Sequence, residues 1–433
     1  MTDAVLDQRA DTLPSGWLWK PFGELVTHSQ NGISKRRSTT GTPTPVLRLA
    51  DIREGEIVES SPREIRLCDE ELSKYVLRDG DLLCVRVNGS RTLTGRLVYF
   101  RSRKLWAYCD HFIRFRLESE IAVSKYFAHY FNTEAVRSYL GKHMVSTAGQ
   151  NTVSQGTMLG IAVPLAPVNQ QRTIVAEIEK QFSRLDEAVA NLKRVKANLK
   201  RYKASVLKAA VEGKFVSSNP NGWMRTNLGT VLTTIEAGKS FKCEERLPII
   251  REIGVVKVSA VTWGTYNEEE SKTCLDPDRI ETRYFVKPGD FLFSRANTIQ
   301  LVGACVIAQK VTRKIMLSDK ILRFRFSDQV LPQWVLYWLR SDIGRKEIQR
   351  LSTGNQESMR NIGQDRIRQI AFALPNLEEQ RTIVAEVERR LSVIEALEAA
   401  AEANLTRADC LRQSILSEAF SGKLLSDNIV GQV

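Results

Sequence analysis

The chain has 433 residues, of which 42% are hydrophobic and 26% charged, a balance that lets two or three ordinary domains each bury a core. Lysine and arginine exceed aspartate and glutamate by 63 to 50, giving a formal charge of +13 and a pI near 9.4. That excess favours a polyanionic partner, because cations that neutralise phosphates release counterions, although it does not by itself separate a DNA binder from a merely basic enzyme. Residues 1–12 are polar and no eighteen apolar residues run together, so the expectation is a cytoplasmic protein without signal peptide or membrane span.

Taken in chain order, a PSGWLWKPFG opening (14–23) leads into four β-rich runs, VLRL (46–49), GDLLCVRV (80–87), GRLVYF (95–100) and HFIRFRL (111–117). Apolar residues at helical spacing then predict a helix over 123–140, followed by the loop STAGQN (146–151) and the strand IAVP (161–164). From Gln171 to Val211 no proline or glycine intervenes, and Gly213 supplies a stop. A second opening, PNGWMRTNLG (220–229), starts the same series again: VVKVSAV (255–261), DFLFSRA (290–296), GACVIAQ (303–309), KILRFRF (320–326), a helix over 332–348, the loop STGNQE (352–357) and IAFA (370–373).

The repetition is literal in places. QRTIVAE stands at 171–177 and again at 380–386, a shift of 209 (380 − 171), and that shift carries YVLRDGDLLCVRVNG (75–89) onto YFVKPGDFLFSRANT (284–298). A repeat of this length means duplicated domains, not a solenoid. The expected organisation is a first globular unit over 1–170, a long helix over 171–215, a second unit over 216–379, a second long helix over 380–424 and a tail over 425–433. The fold class is mixed α/β, with two similar units separated by two antiparallel coiled-coil helices about an internal pseudo-two-fold axis.

In the first long segment Ile178, Leu185, Leu192, Leu199 and Val206 form one heptad column, with Gln181, Ala188, Val195, Tyr202 and Ala209 as the alternate one. The second carries Val387, Ile394, Ala401, Ala408 and Ile415, with Arg390, Leu397, Asn404, Leu411 and Glu418. Asn404 at a seam position either fixes register or marks a weak point. The first helix is basic and the second acidic at its middle, so antiparallel pairing sets Lys193 near Glu402 and Lys200 near Glu395. A helix of about 45 residues is roughly 65–70 Å long, enough to hold two reading heads at least one turn of a duplex apart, about 34–36 Å.

DNA readers need Arg, Asn, Gln and hydroxyl side chains on loops, where their donors and acceptors match base edges and phosphates. The candidates after the GD turns are Arg86, Asn88, Ser90 and Arg91 in the first unit and Arg295, Asn297, Thr298 and Gln300 in the second. Those on the STG-type loops are Gln150 and Asn151, and Asn355 and Gln356. Lys35, Arg36 and Arg37, with Lys239 and Lys242 at the related position, suit phosphates better than bases. Each of these positions also reads as an ordinary solvated turn.

Catalytic and metal chemistry find little footing. The seven cysteines are scattered without a C-x-x-C pair, and the four histidines lack ligand spacing, so reduced thiols and no metal site are expected. Asn219-Pro220-Asn221-Gly222 lacks the second proline and the aromatic of a base-methylating motif, no G-x-x-x-x-G-K-[ST] loop occurs, and Glu268-Glu269-Glu270 with Lys272 reads as a solvated charge run. No cofactor is expected.

The PSGW and PNGW openings, GD strands, STG loops and repeated QRTIVAE helix start resemble the specificity subunit of type I restriction–modification systems, from about Pro14 to Leu424. The resemblance implies two target-recognition domains that each read half of a bipartite double-stranded DNA site, helices that set the unread spacer, and no chemistry in the chain itself. It also implies docking of two modification (methyltransferase) subunits, with restriction (translocase–nuclease) subunits in the larger complex. The alternative is a free-standing DNA-binding regulator or architectural protein with a coiled-coil spacer.

Overall fold

A computed structural model of the chain describes residues 13–53, 56–58, 62–102, 104–217, 220–262 and 264–424; the expected tail over 425–433 lies outside them. By its internal contacts the chain divides into two units, residues 1–192 with 403–433, and residues 193–402. Each unit therefore holds one globular body and a length of both long helices. The fold is mixed α/β, with two globular bodies and two helices of 44 residues, Val168–Val211 and Leu377–Phe420. Among the described residues no helix is long and apolar enough to cross a membrane.

Both bodies are built on a four-stranded antiparallel sheet with the same strand order. In unit 1 it runs Val26–Asn31, Phe112–Leu117, Leu82–Val85, Leu97–Tyr99, and in unit 2 Leu232–Ala237, Ile321–Phe326, Phe291–Ser294, Cys305–Ile307. The strands read from HFIRFRL and KILRFRF are thus central, and their arginines find partners: the buried Arg114 donates to the Val76 carbonyl at 2.9 Å and lies 3.1 Å from His28 Nδ1. Asp81 of the first GD turn takes Arg116 through two contacts of 2.7 Å. Asp290 of the second takes Arg323 at 3.0 Å and Arg325 at 3.1 Å. Each aspartate also accepts a backbone N–H three residues back, from Arg78 and Lys287. The GD motif is therefore a folding anchor under the loop that follows it.

Where one helix is predicted over 123–140, two form, Ser124–Tyr130 and Glu134–His143; unit 2 has Pro332–Arg340 and Asp342–Leu351. The break has a local cause. Ser341 leaves the helical region and its Oγ accepts from the Gly344 N–H at 3.2 Å, starting a new helix. Thr133 is the corresponding N-cap in unit 1, with extended backbone.

The repeated glutamine that opens QRTIVAE is buried in both copies. Gln171 donates to the Ile121 and Ala166 carbonyls and accepts from Val123 N–H; Gln380 donates to Gln329 and Pro375 and accepts from Leu331. Ile174, Val175, Ile178 and Ile383, Val384, Val387 follow it into the two cores. The identity of the two segments is the identity of two sockets.

Within each unit the two long helices run antiparallel. In unit 2 Lys196 pairs with Glu402 while Arg390 lies over the Phe215 ring at 4.5 Å, so one number rises as the other falls. In unit 1 Arg412 pairs with Asp186, and Ile415, Leu416, Ala419 and Phe420 share a core with Ile174 and Ile178. The Lys196–Glu402 pair stands one turn along from the Lys193–Glu402 pairing that the charge pattern predicts.

The first heptad column faces inward, with Val387, Ile394, Ala401, Ala408 and Ile415 all buried. The alternate column does not: Val195, Tyr202, Leu397 and Leu411 are 44–49% exposed, and Asn404 is exposed too. The second inward column is one residue on, through Phe182, Val189 and Ala210 in one helix and Leu391, Leu405 and Ala419 in the other. Spacings of three and four share a helix face; Phe182 and Leu391 turn inward where Gln181 and Arg390 would have stood, while further along Lys196 and Glu398 are the more covered neighbours of the exposed Val195 and Leu397. Asn404 is exposed and lies off the seam.

Candidate nucleic-acid interface

In each body the two loops singled out by their side chains meet in one small sheet. In unit 1 the strand Val87–Asn88 pairs with Gln150–Thr152, which pairs with Val145–Thr147. In unit 2 Ala296–Asn297 pairs with Met359–Asn361, which pairs with Thr353–Gln356. Arg86, Asn88, Ser90, Arg91 and Gln150 are thereby neighbours on one body, and Arg295, Asn297, Thr298, Gln300, Asn355 and Gln356 on the other.

The hairpins are not equivalent letter for letter. Met144 and Ser352 are the C-caps of the helix before each, and the next residues, Val145 and Thr353, open the pairing. STAGQN and STGNQE are therefore offset by two residues, and the second hairpin is a residue longer, with a register shift near Gly354 at φ 133°. The first turns tightly through Ala148 and Gly149, both at positive φ (48° and 78°). A β-carbon is unfavourable there, so Ala148 carries local strain at the tip of the hairpin.

Asn151 is buried; its amide donates to the Asn88 and Gly89 carbonyls at 3.3 and 3.0 Å, and its oxygen accepts from Ser146 Oγ. It braces the hairpin to the Arg86 loop while Gln150 beside it is exposed. Arg360, paired with Asn297 as Asn151 is with Asn88, bonds the Ser352 and Gly354 carbonyls at 2.7 Å each. Asn88 Oδ1 caps Ser90 N–H and Asn297 Oδ1 caps Thr298 N–H. Arg86 is half-buried with its guanidinium on the Asp110 carbonyl at 3.4 Å; Arg295 is half-buried and reaches Asn361 Oδ1, also at 3.4 Å. Arg91 is exposed and bonds the Gly141 carbonyl.

Two further arginines hold these loops. Arg137, on Glu134–His143, donates to the carbonyls of Arg91, Thr92 and Thr94 at 2.8–3.1 Å. Arg345, on Asp342–Leu351, donates to those of Val302, Ile299 and Gln300 at 2.6–3.2 Å. Burial pulls both guanidinium groups down to about 10. Sequence reading missed them because the helices repeat one residue out of step with the 209 shift; an arginine recurring in both helices was the available signal.

The basic run lies beside the first loop. Lys35 pairs with Glu71 at 2.9 Å, and Glu71 is held below the usual carboxylate range chiefly by that bond. Arg36 reaches Asp110 at 3.3 Å, and Arg37 is exposed. Cys109, Asp110 and His111 offer ligand atoms within 4.8 Å of one another, but Arg36 already sits on the Asp110 carboxylate. In unit 2 the bridge of Lys239 to Ser318 matches that of Ile33 to Cys109, so Lys239 occupies the place of Ile33, not of Lys35. It pairs with Glu281 at 2.5 Å and lies over Tyr284, whereas Lys242 is exposed, with its N–H on Asp276.

The arrangement presents guanidinium, amide and hydroxyl groups on a braced edge of each body, with different side chains on matching frames. No family model matches the chain. It is 32% identical over 203 residues to the type I restriction enzyme StySPI specificity subunit of Salmonella potsdam, which is 47% of this chain and 44% of that relative. The chain thus matches less than half the length of that curated relative. A chain from a structure on complex assembly and conformational transition of the type I R-M system superposes with a TM-score of 0.68 at 22% identity, over 95% of this chain and 99% of that one. The HsdS subunit from Thermoanaerobacter tengcongensis gives 0.53, also at 22%, over 95% and 98%. In sequence the chain is a homologue of type I restriction enzyme specificity subunits, and it shares the fold of the HsdS subunit.

Proposed function

We propose that the chain is the DNA-specificity subunit of a type I restriction–modification complex in the cytoplasm. It performs no catalysis itself, and each globular body reads one half of an asymmetric bipartite site. The carrying observation is the matched pair of braced loop–hairpin sheets. The frame repeats through Asn88 and Asn297, Arg137 and Arg345, while the outward residues change from Arg91 and Gln150 to Gln300, Asn355 and Gln356. Different side chains on one frame read different bases. Lys35, Arg36, Arg37, Lys239 and Lys242 supply phosphate contacts. The target-recognition domains are residues 1–170 and 216–379, joined by helices that fix the spacer.

Two modification subunits dock on the long helices, and restriction subunits join the full complex. The apolar side chains that those helices leave exposed in unit 2, Val195, Tyr202, Val393 and Leu397, support that docking. Co-expression with a type I modification (methyltransferase) subunit and mapping of methylated sites tests the reading. The pair methylates a split sequence and the chain alone methylates nothing; activity of the chain alone, or a continuous site, overturns it.

A further inference from the structure

Unit 2 contains two cysteines that the sequence separates and the fold sets face to face. Cys243 on the edge strand Cys243–Glu244 is directly opposite Cys274 on the antiparallel strand Ser271–Cys274. Leu275 N–H donates to the Lys242 carbonyl at 2.8 Å, which closes the ladder one residue outside the pair. Cys243 and Cys274 are thus a non-hydrogen-bonded pair, the closer of the two antiparallel types, with Cα atoms about 4.5 Å apart. A disulfide needs Cα atoms at about 4.4–6.8 Å, so the backbone already meets its requirement. Both side chains are partly exposed and neither is in a disulfide; the Cys243 thiol donates to the Phe241 carbonyl at 3.4 Å and the Cys274 thiol to the Asp276 carbonyl at 3.9 Å, weak bonds that a rotation about χ1 gives up. Burial raises the Cys243 thiol, the Lys272 charge lowers it, and Cys274 is among the groups that raise it again. The two thiols thus lie within each other's electrostatic reach.

We propose that Cys243 and Cys274 form a redox-active dithiol, closed to a cross-strand disulfide by exchange with a low-molecular-weight disulfide of the glutathione type. One cysteine thiolate attacks a sulfur of the small disulfide, forming a mixed disulfide and expelling one small thiolate. The facing thiolate attacks the protein sulfur of that mixed disulfide, forming the Cys243–Cys274 bond and expelling the second. Two protein thiols are oxidised, one small disulfide is reduced to two thiols, and the two protons pass to the leaving thiolates.

The pair belongs to unit 2 alone. Its sheet has four strands, the edge one being Cys243–Glu244, whereas the matching sheet of unit 1 has three among the described residues. The bond would fasten to its neighbour the strand that directly follows Lys242, so oxidation acts on one body and leaves the other untouched.

The reduced full chain is incubated with oxidised glutathione, alkylated and digested without reductant, and its peptides are weighed. The expected product is a linked Cys243–Cys274 peptide, with the exposed single cysteines Cys68 and Cys410 carrying glutathione instead. In C243S, Cys274 is expected to hold the glutathione that the wild type loses. Separate glutathione adducts on Cys243 and Cys274 in the wild type, or both left unmodified where Cys68 and Cys410 react, overturn the proposal. The readout is a covalent mass and does not depend on what the chain binds.

Discussion

At the scale of single residues, the loops that carry candidate readers are held by groups that do not face outward. A half-buried guanidinium serving three carbonyls is a strong brace, because each carbonyl left without it loses a charge-assisted bond in a partly dry place. Arg137→Ala is expected to destabilise unit 1 by about 2–3 kcal/mol and to weaken one half-site, and Arg345→Ala to do the same for the other. Urea unfolding and binding to DNA altered in one half at a time measure both; equal loss on both halves from either variant would contradict independent frames. His129 gives a pH-dependent companion. Burial lowers its pKa to about 4, and its ring meets Phe182 of the long helix edge-on at 5.7 Å. The unfolded chain takes up a proton near pH 6.5 that the folded one refuses until about 4. This residue's contribution is therefore intact above 6.5 and is lost as the pH falls towards 4, by at most about 3 kcal/mol. His129→Phe keeps the packing and is expected to flatten that part of the curve of stability against pH.

At the scale of elements, periodicity gave the strands and long helices, and it failed where two faces of a helix competed. HFIRFRL and KILRFRF were legible as strands because β-branched and aromatic residues cluster there; that Arg114 and Arg323 lie inside was not, since their partners, the Val76 carbonyl and His28 for one and Asp290 for the other, come from distant parts of the chain. The break at Ser341 was hidden because the apolar spacing continues across it. The small sheet uniting the Arg86 loop with the hairpin was hidden because its strands are two or three residues long and more than fifty positions apart. The heptad seam was half legible: one column holds, and the other moves by one residue, since a sequence does not say which flank meets the globular body. That displacement can be tested. Ile394→Ala, at 1% exposure, is expected to cost about 2–5 kcal/mol. Leu397→Lys, at 49%, is expected to leave unfolding within about 0.5 kcal/mol while weakening assembly with a methyltransferase subunit in co-purification. A large loss of stability from Leu397→Lys would restore the original seam.

At the scale of the whole molecule, the proposed spacing between half-sites is a property of two unbroken helices of 44 residues. Insertions make the ruler testable, provided they respect both the seam and the sockets. An insertion beside Gln171 would tear out the buried amide that holds the helix to its body, so the extension belongs mid-helix, near Leu192 and Glu402, in both helices at once. One added heptad lengthens a helix by about 10 Å, close to three base pairs, and turns it by only about 20° against the seam. Three base pairs rotate the duplex by about 100°, so the reading edges and the half-site fall out of phase, and affinity drops whatever spacer is offered. Three added heptads, about 32 Å, approach a full duplex turn of about 34 Å. The expectation is therefore non-monotonic: binding is lost with one heptad and recovered with three, on a spacer longer by nine to ten base pairs at about 3.4 Å each. Selection from a library of spacer lengths reads the result. An unchanged preferred spacer with either insertion would mean that something other than the helices sets the distance.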